Sequence, residues 1–235
     1  MGRRLAKAPP WRPTFLYFAN TNLQDPRAAF TIFEAIQKGG GRPTPEELGP
    51  YYRRLLAIQD YDRAYLHWVL FLPSDMVSKL QNVYDGAFEG WPESPPFGWI
   101  FGQGVRGSIE SSEAYGRPGM AMRVDYDGVS APTLPSQFLL LAPARYRLSG
   151  LALTATPQSS GRVAWTIACD KGETLARTSP VADTKGAWQK FSIEFVVPEA
   201  CRGQILSLVP IPSGERSTVE VWFDQIAIDR VTSDS

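Results

Sequence analysis

The sequence of 235 residues contains one histidine, two cysteines and no long hydrophobic run. A single histidine excludes metal sites built from several imidazoles, and any histidine-based catalysis must use His67. Because no apolar stretch approaches the roughly 20 residues that cross a bilayer, we expect no membrane-spanning helix. The chain also lacks net charge, with 24 Lys+Arg against 24 Asp+Glu, so no overall field favours nucleic acid as a partner.

The composition is that of a folded protein with many turns. Hydrophobic residues make up 43% of the chain and charged residues 20%, which excludes a disordered chain. Gly and Pro contribute 20 residues each, and aromatic residues make up 12%. This balance favours a loop-rich β protein over a helical bundle.

Residues 1–80 are predicted to be helical. Apolar residues from Ala29 to Ile36 recur every three or four positions, and the segment ends at Lys38 before three glycines. Thr44, with Pro45 after it and Glu47 three positions on, fits a capping box, in which the two side chains satisfy exposed backbone amides. We therefore predict a second helix that begins after Thr44.

The second helix and a third, ending before Pro73, are predicted to form an antiparallel hairpin. Its apolar stripe is expected at Leu48, Tyr51, Tyr52, Leu55 and Leu56 on the first helix and at Tyr65, Trp68, Val69 and Leu72 on the second. The pattern YYRRLLAIQDYDRAYLHW resembles a tetratricopeptide-type unit. Because one such unit cannot bury both of its faces, this segment is expected to dock on a partner or the second domain, or to continue a helical array.

Residues 81–235 are predicted to form a β-sandwich. Apolar and polar residues alternate with a period of two in the segments 122–127, 162–169 and 190–197. Gly150 interrupts a further apolar run and predicts a bulge or a bend. About eight to ten short strands with no helix between them indicate a sandwich or barrel, and a jelly roll above all.

Several segments in this second part resemble jelly-roll carbohydrate-binding modules, the galactose-binding-like sandwiches appended to xylanases and cellulases. The segment from Asp85 to Glu89 reads DGAFE, which is similar to the opening strand of those modules. RYRLSGLALT, Trp188 in TKGAWQKFSIEFVVP, and VEVWFDQIAI match in order and spacing, so the resemblance spans about residues 82–231. The chain also resembles uncharacterised bacterial envelope proteins in which such a sandwich follows tetratricopeptide-like helices.

The resemblance implies a structural calcium ion between the first and last strands. Its ligands would be the Glu after the Phe and an Asp in the last strand, which here are Glu89 and Asp224. Hard carboxylate oxygens suit Ca²⁺. In the alternative interpretation, Asp224 caps a turn and Glu89 faces solvent.

The resemblance also implies a glycan site, which needs flat apolar surfaces and planar polar groups. The candidate carbohydrate-binding residues are Trp91, Trp99, Tyr115, Arg123, Asp125 and Gln137. The two tryptophans lie in a Pro/Gly-rich stretch outside clear alternation, so at least one of them is expected to be exposed. The alternative for each aromatic residue is simple packing in the core, which is the expectation for Trp165 and Trp222.

Cys169 and Cys201 lie in or beside predicted strands and are expected to form a disulfide. A bridge implies an oxidising compartment, here the periplasm or the cell exterior. The alternative is a pair of buried free thiols in a cytosolic protein. The N-terminal segment has no signal peptide, so we expect the chain to be a fragment of a longer protein.

The sequence thus predicts a non-catalytic glycan- or polysaccharide-binding module of a bacterial envelope or secreted protein, with a role in exopolysaccharide handling. One alternative is a protein-interaction scaffold without a sugar site, which requires the two candidate tryptophans to be buried and an apolar patch to be exposed on the helices. A weaker alternative is a glycoside hydrolase or lyase, whose paired carboxylates would come from Glu110 and Glu113 or from Asp125 and Asp127.

Overall fold

The computed structural model describes residues 2–90, 95–101, 106–155, 162–181, 183–212, 214, 216 and 218–232. The chain divides into two compact units, Met1–Lys79 and Leu80–Ser235. The first unit is helical, and the second consists of two antiparallel β-sheets. The predicted fold class, a jelly-roll sandwich with N-terminal helices, is confirmed.

The helical unit contains α1 (Gly2–Ala6), α2 (Arg12–Asn22), α3 (Pro26–Lys38), α4 (Pro45–Ala57), α5 (Tyr61–Phe71) and α6 (Ser74–Val77). As predicted, α3 ends at Lys38, and Thr44 and Glu47 form the capping box of α4. Among the described helices, none is both long and apolar enough to cross a membrane.

One feature of the helical unit differs from the prediction. On α5 the buried residues are Tyr61, Ala64, Trp68 and Phe71, and only Trp68 belongs to the predicted stripe. Helices α4 and α5 pack as a hairpin, and the tetratricopeptide resemblance itself stays a prediction.

A buried ion pair joins α2 to the start of α4. The guanidinium of Arg12 contacts both carboxylate oxygens of Glu47, at 2.7 and 2.8 Å, and also donates to the Leu5 carbonyl at 2.9 Å. Glu47 in turn accepts from the Thr44 amide at 2.9 Å. Removal of either charged partner would leave an unpaired buried charge, so each charge holds the other in place.

The β unit contains β1 (Ser108–Ser111), β2 (Met120–Tyr126), β3 (Ser136–Leu139), β4 (Ala144–Thr154), β5 (Arg162–Cys169), β6 (Thr174–Arg177), β7 (Gln189–Val197), β8 (Gln204–Ile211) and β9 (Val219–Arg230). One sheet has the order β1-β2-β9-β4-β7, and the other has the order β3-β8-β5-β6. The core lies between the two sheets.

The side chains that the predicted alternation assigns to one face of each strand form the core. The inward-facing residues of β2 are Met122, Val124 and Tyr126, those of β5 are Val163, Trp165, Ile167 and Cys169, and those of β7 are Phe191, Ile193, Phe195 and Val197. The register between β4 and β9 shifts between Ser149 and Leu151, which confirms the bulge predicted at Gly150.

The segment from Asp85 to Glu89 is a turn packed against β9, whereas the sequence predicted a strand here. The Gly86 carbonyl accepts from the Ile226 amide at 2.8 Å, and a side chain on Gly86 would collide with the Ile226 carbonyl. Phe88 is fully buried in the core. This motif therefore seals one end of the sandwich.

Cys169, at the end of β5, and Cys201, before β8, form the predicted disulfide. Both residues are buried at the edge of the core. The bridge closes a loop that contains β6 and β7, and so ties the four-stranded sheet to the chain that returns from the five-stranded one.

We predict that replacement of both cysteines, Cys169→Ala with Cys201→Ala, lowers the free energy of unfolding by about 3–4 kcal/mol, because the bridge restricts the unfolded chain. Urea denaturation measures the difference. Wild-type protein denatured by urea in the presence of a reductant should have the same free energy of unfolding as the double variant. A loss below about 1 kcal/mol would contradict a stabilising bridge.

The one histidine provides a pH test of the helical unit. His67 Nδ1 lies 2.6 Å from the Tyr51 hydroxyl, and its ring stacks on Phe30 at 3.5 Å between centroids. Burial, aided by the positive charge of Arg63, lowers the pKa of His67 from 6.5 to about 4. The pKa of His67 is lower in the folded state than in the unfolded state. The contribution of neutral His67 to the stability of the helical unit is therefore complete above pH 6.5 and is lost as the pH falls towards 4.

We expect protonation of His67 at low pH to cost the helical unit on the order of 1 kcal/mol of stability, after allowance for solvent screening. The test compares thermal unfolding of the wild type and of His67→Gln between pH 7 and pH 4, about the range in which histidine titrates. The wild type should lose more stability than the variant over this interval. Parallel curves would contradict the assignment.

Candidate functional site

The outer face of the five-stranded sheet carries the candidate site. The core takes one set of alternating residues from β2 and β9, so the other set points outward. Strand β9 supplies Glu220, Trp222 and Asp224, and β2 supplies Arg123 and Asp125. Strand pairing places Arg123 opposite Trp222 and Asp125 opposite Glu220.

Three aromatic side chains cluster on this face. Trp222 is 4% exposed and packs with Ala121 and Leu153, while Tyr115 and Trp188 lie against this group and stay partly exposed. The Tyr115 ring is 5.0 Å from that of Trp222 between centroids, and Trp188 Nε1 donates to the Tyr115 carbonyl at 3.2 Å. Trp222 is thus covered by the other two aromatic side chains, which remain in contact with solvent.

The connection between β1 and β2 crosses this face and holds the cluster together. It contains a short 3₁₀ helix, Glu113–Tyr115, followed by Arg117. The guanidinium of Arg117 contacts Asp224 Oδ2 at 2.8 Å through Nε and 2.7 Å through Nη2, and lies 5.5 Å from the Trp188 ring centre. Tyr115 and Trp188 are therefore held in place by a covering loop.

Arg123 is surrounded by carboxylates. Its guanidinium lies 3.4 Å from Glu110, 3.2 Å from Asp125 and 3.1 Å from Glu220. Desolvation opposes its charge, but the carboxylates outweigh it and raise the pKa of Arg123. One cation is thus shared by three anions, and the side chains of Glu110 and Asp125 remain 40% and 48% exposed.

Glu220 links the charged group to the aromatic one. Its Oε1 accepts from the Tyr115 hydroxyl at 3.0 Å and from Trp222 Nε1 at 2.7 Å, while its Oε2 contacts Arg123. Desolvation and the bond to Glu220 raise the pKa of Tyr115, so its hydroxyl stays protonated at neutral pH. The aromatic rings are positioned by the same carboxylate that positions the arginine.

A shallow cleft of about 330 Å³ lies at the paired strands β4 and β7 of the sheet that carries the cluster. It is lined by Ser149, Gly150, Leu151, Lys190, Phe191, Ser192 and Gln225. Leu151 pairs with Asp224 of β9, two residues along from Trp222. This lining adds hydroxyl, amide and amino groups to the face.

Of the predicted glycan-binding residues, the structure brings Tyr115, Arg123 and Asp125 together, and Trp91 lies outside the described residues. Trp99 is not an exposed platform: it is 4% exposed, packs against Trp165, and donates from Nε1 to the Asp85 carbonyl at 3.0 Å. A position in a Pro/Gly-rich stretch suggested exposure, but the Trp99 side chain lies in the core between the sheets.

Gln137 is also misplaced by the sequence prediction. It lies on β3, in the other sheet from Arg123, and is 1% exposed. Its Nε2 donates to the Tyr84 carbonyl at 2.9 Å, and its Oε1 accepts from the Tyr84 amide at 2.8 Å. With both ends of the amide occupied by backbone, Gln137 holds the turn and does not reach a ligand.

The described residues do not fit the calcium ion that the resemblance implies. Asp224 Oδ2 is taken by Arg117, and its Oδ1 accepts from the Gln225 amide at 2.7 Å. Glu89 is exposed. In the part of the chain that the structure describes, no group of three or more His, Cys, Asp or Glu could hold a metal. Calcium at Glu89 and Asp224 therefore stays a prediction that this donor set does not favour.

Three of the four carboxylates proposed for a hydrolase have other partners. Glu110 and Asp125 both bind Arg123. Asp127 accepts from the Val129 and Ser130 amides and the Ser130 hydroxyl, and these bonds lower its pKa to about 2. Asp127 therefore caps a turn as a permanent anion and cannot serve as a general acid at neutral pH.

Sequence reasoning missed Trp188, Arg117 and Glu220 as site residues. The alternation of β9 could have indicated Glu220, because it lies four positions before Asp224 and therefore on the same outward face. The resemblance included Trp188 without assigning it a role, and no local pattern marks Arg117, since both lie in connections whose path depends on the sheet beneath.

Comparison with known proteins yields structural neighbours only. No model of a protein family matches the sequence, and no curated protein is significantly similar to it. Among solved structures, the module TmCBM61 in complex with β-1,4-galactotriose has 16% identity and a TM-score of 0.45, covering 65% of this chain and 99% of its own. The CBM22-1 xylan-binding domain from Paenibacillus barcinonensis Xyn10C has 15% identity and a TM-score of 0.46, covering 63% and 93%.

A family 16 carbohydrate-binding module has 14% identity and a TM-score of 0.42, covering 64% of this chain and all of its own. These neighbours are carbohydrate-binding modules. At such identities and TM-scores, the similarity carries no argument about what this chain binds.

We predict that Trp99→Ala lowers the free energy of unfolding by about 3–5 kcal/mol, because it empties the space between Phe88 and Trp165. Denaturant unfolding measures the loss. Trp11→Ala, at a half-exposed tryptophan of the helical unit, is the matched control and should change stability by less than about 0.5 kcal/mol. A neutral Trp99→Ala would contradict the burial of this residue.

Proposed function

We propose that this chain is a non-catalytic glycan-binding protein whose binding surface is the outer face of the five-stranded sheet. One observation carries the proposal: two partly exposed aromatic rings, Tyr115 and Trp188, lie beside an arginine that is shared by three carboxylates. The proposal rests on this geometry.

The chemistry of the cluster suits a sugar. A pyranose presents C–H groups on one face and hydroxyls around its edge, so it needs an apolar plane flanked by planar hydrogen-bonding groups. Trp188 offers the larger plane, and the exposed carboxylate oxygens of Glu110 and Asp125 accept hydrogen bonds from hydroxyls. Because the rings are held by Glu220 and Arg117 before any ligand arrives, little ordering entropy is lost on binding.

The setting that we propose is the periplasm or the cell exterior, with a role in exopolysaccharide handling of the bacterial envelope. The disulfide between Cys169 and Cys201 supports an oxidising compartment. A polysaccharide ligand is consistent with a further cleft at β4 and β7 of the same sheet.

The protein-interaction scaffold is the second candidate, because the structure has features that it requires. Trp99 is buried, and the helical unit exposes large apolar side chains such as Phe18 and Leu66. A protein partner on the helices stays a prediction, and so does the tetratricopeptide-like role. Glycan binding through Trp188 separates the two candidates, since a scaffold has no use for this residue.

We predict that the purified protein retains a defined glycan on an array of bacterial and plant polysaccharides, and that Trp188→Ala weakens this binding by about tenfold or more, since it removes the stacking plane. Isothermal titration with the retained oligosaccharide measures the affinity. Trp188→Phe keeps an aromatic face and should lose less. The array is run with calcium and with chelator, which also tests Glu89 and Asp224.

Trp11→Ala is the control for loss of an exposed tryptophan and should bind like the wild type. The melting temperature of every variant is recorded, so that a folding defect is not mistaken for a binding defect. If the array retains no glycan, or if Trp188→Ala binds as tightly as the wild type, the proposed surface is wrong.

A further inference from the structure

The first long helix of the chain, α2, exposes aromatic side chains on the side away from its own core. Leu16 and Ala19 are buried in the helical unit, whereas Trp11, Tyr17 and Phe18 are 50%, 60% and 62% exposed. Trp11 packs edge-on against Phe15 at 6.1 Å between centroids. This aromatic surface is defined here as Trp11, Phe15, Tyr17 and Phe18.

Exposed positive charge precedes the aromatic surface in the chain. Arg3 and Arg4 of α1 and Lys7 after it are exposed. Residues 2–24 contain no Asp or Glu. The remaining cation of this stretch, Arg12, is neutralised by the buried Glu47. Two exposed carboxylates lie nearby: Asp25 directly follows this stretch, and Glu46 of α4 lines one cleft with Tyr17. The three exposed cations of residues 2–24 therefore outnumber these carboxylates.

We propose that this surface binds the interface of an anionic lipid bilayer, with α2 lying along the membrane. Trp and Tyr prefer the boundary between headgroups and acyl chains, because one part of the ring system is apolar and the other forms hydrogen bonds. Arg and Lys beside such rings attract anionic lipids. At 11 residues, α2 lies on the membrane and does not cross it.

The charge pattern favours a membrane over a protein groove. A second exposed apolar pair, Leu66 and Leu70 on α5, lies beside the exposed acidic residue Asp62 and contains no aromatic ring. The aromatic surface of α2 instead combines large rings with an excess of exposed cations in the same stretch of chain. The inference concerns the helical unit alone and does not depend on the glycan hypothesis.

The test is flotation of the full chain with vesicles of phosphatidylcholine that contain about one third phosphatidylglycerol. We expect the protein to float with these vesicles and to stay behind with pure phosphatidylcholine. Trp11→Ser with Phe18→Ser should reduce the bound fraction by about tenfold or more, because it removes two interfacial rings. Leu66→Ser with Leu70→Ser is the matched control and should bind like the wild type.

A second variant tests the charges. Arg3→Gln, Arg4→Gln and Lys7→Gln together should weaken binding to the anionic vesicles and reduce its dependence on salt, since screening then has fewer cations to act on. Far-UV circular dichroism and the melting temperature verify that each variant is folded. Quenching of tryptophan fluorescence by brominated lipid, lost in Trp11→Ser alone, places this ring in the bilayer.

Three results would overturn the proposal. The first is an absence of flotation with anionic vesicles at low salt. The second is an equal loss of binding in the α2 and α5 variants. The third is wild-type binding by Trp11→Ser with Phe18→Ser. An absence of flotation together with self-association or complex formation that these same variants abolish would assign the aromatic surface to a protein contact.

Discussion

Strand β9 is the element on which both faces of the five-stranded sheet depend. It lies between β2 and β4, and its residues alternate between the two sides of the sheet. Val221 and Phe223 enter the core, so Glu220 and Trp222 must point outward. A slip of one residue would exchange the two sets and expose the core, which makes this register costly to change. Burial of one face therefore determines where Glu220 meets Arg123 on the other.

The sequence predicted the parts of the fold that local chemistry controls. Alternation gave the core strands, Gly150 marked the bulge, and Thr44 with Glu47 marked the start of α4. It did not predict which aromatic residues reach solvent, because exposure depends on what lies opposite in space. Trp99 stands in a stretch rich in Pro and Gly and is nevertheless buried, whereas Trp188, beside the start of β7, remains partly exposed.

Most of the candidate site arises from connections, and sequence patterns say little about the path of a connection. The loop between β1 and β2 places Tyr115 over Trp222 and Arg117 over Trp188. These contacts join residues more than 70 positions apart, which periodicity cannot reveal. Arg123 could be named from its outward position on β2, but its three carboxylate partners come from three different strands.

The central claim is that the outer face of the five-stranded sheet binds sugar through Trp188. The most direct measurement is a two-dimensional ¹⁵N–¹H spectrum of the tryptophan indole signals, recorded during titration with an oligosaccharide that the protein retains. The account predicts that the Trp188 signal, whose Nε1 donates to the Tyr115 carbonyl, shifts with saturation, and that the signals of buried Trp68 and Trp165 stay in place. Saturable binding that leaves the Trp188 signal unmoved would contradict it.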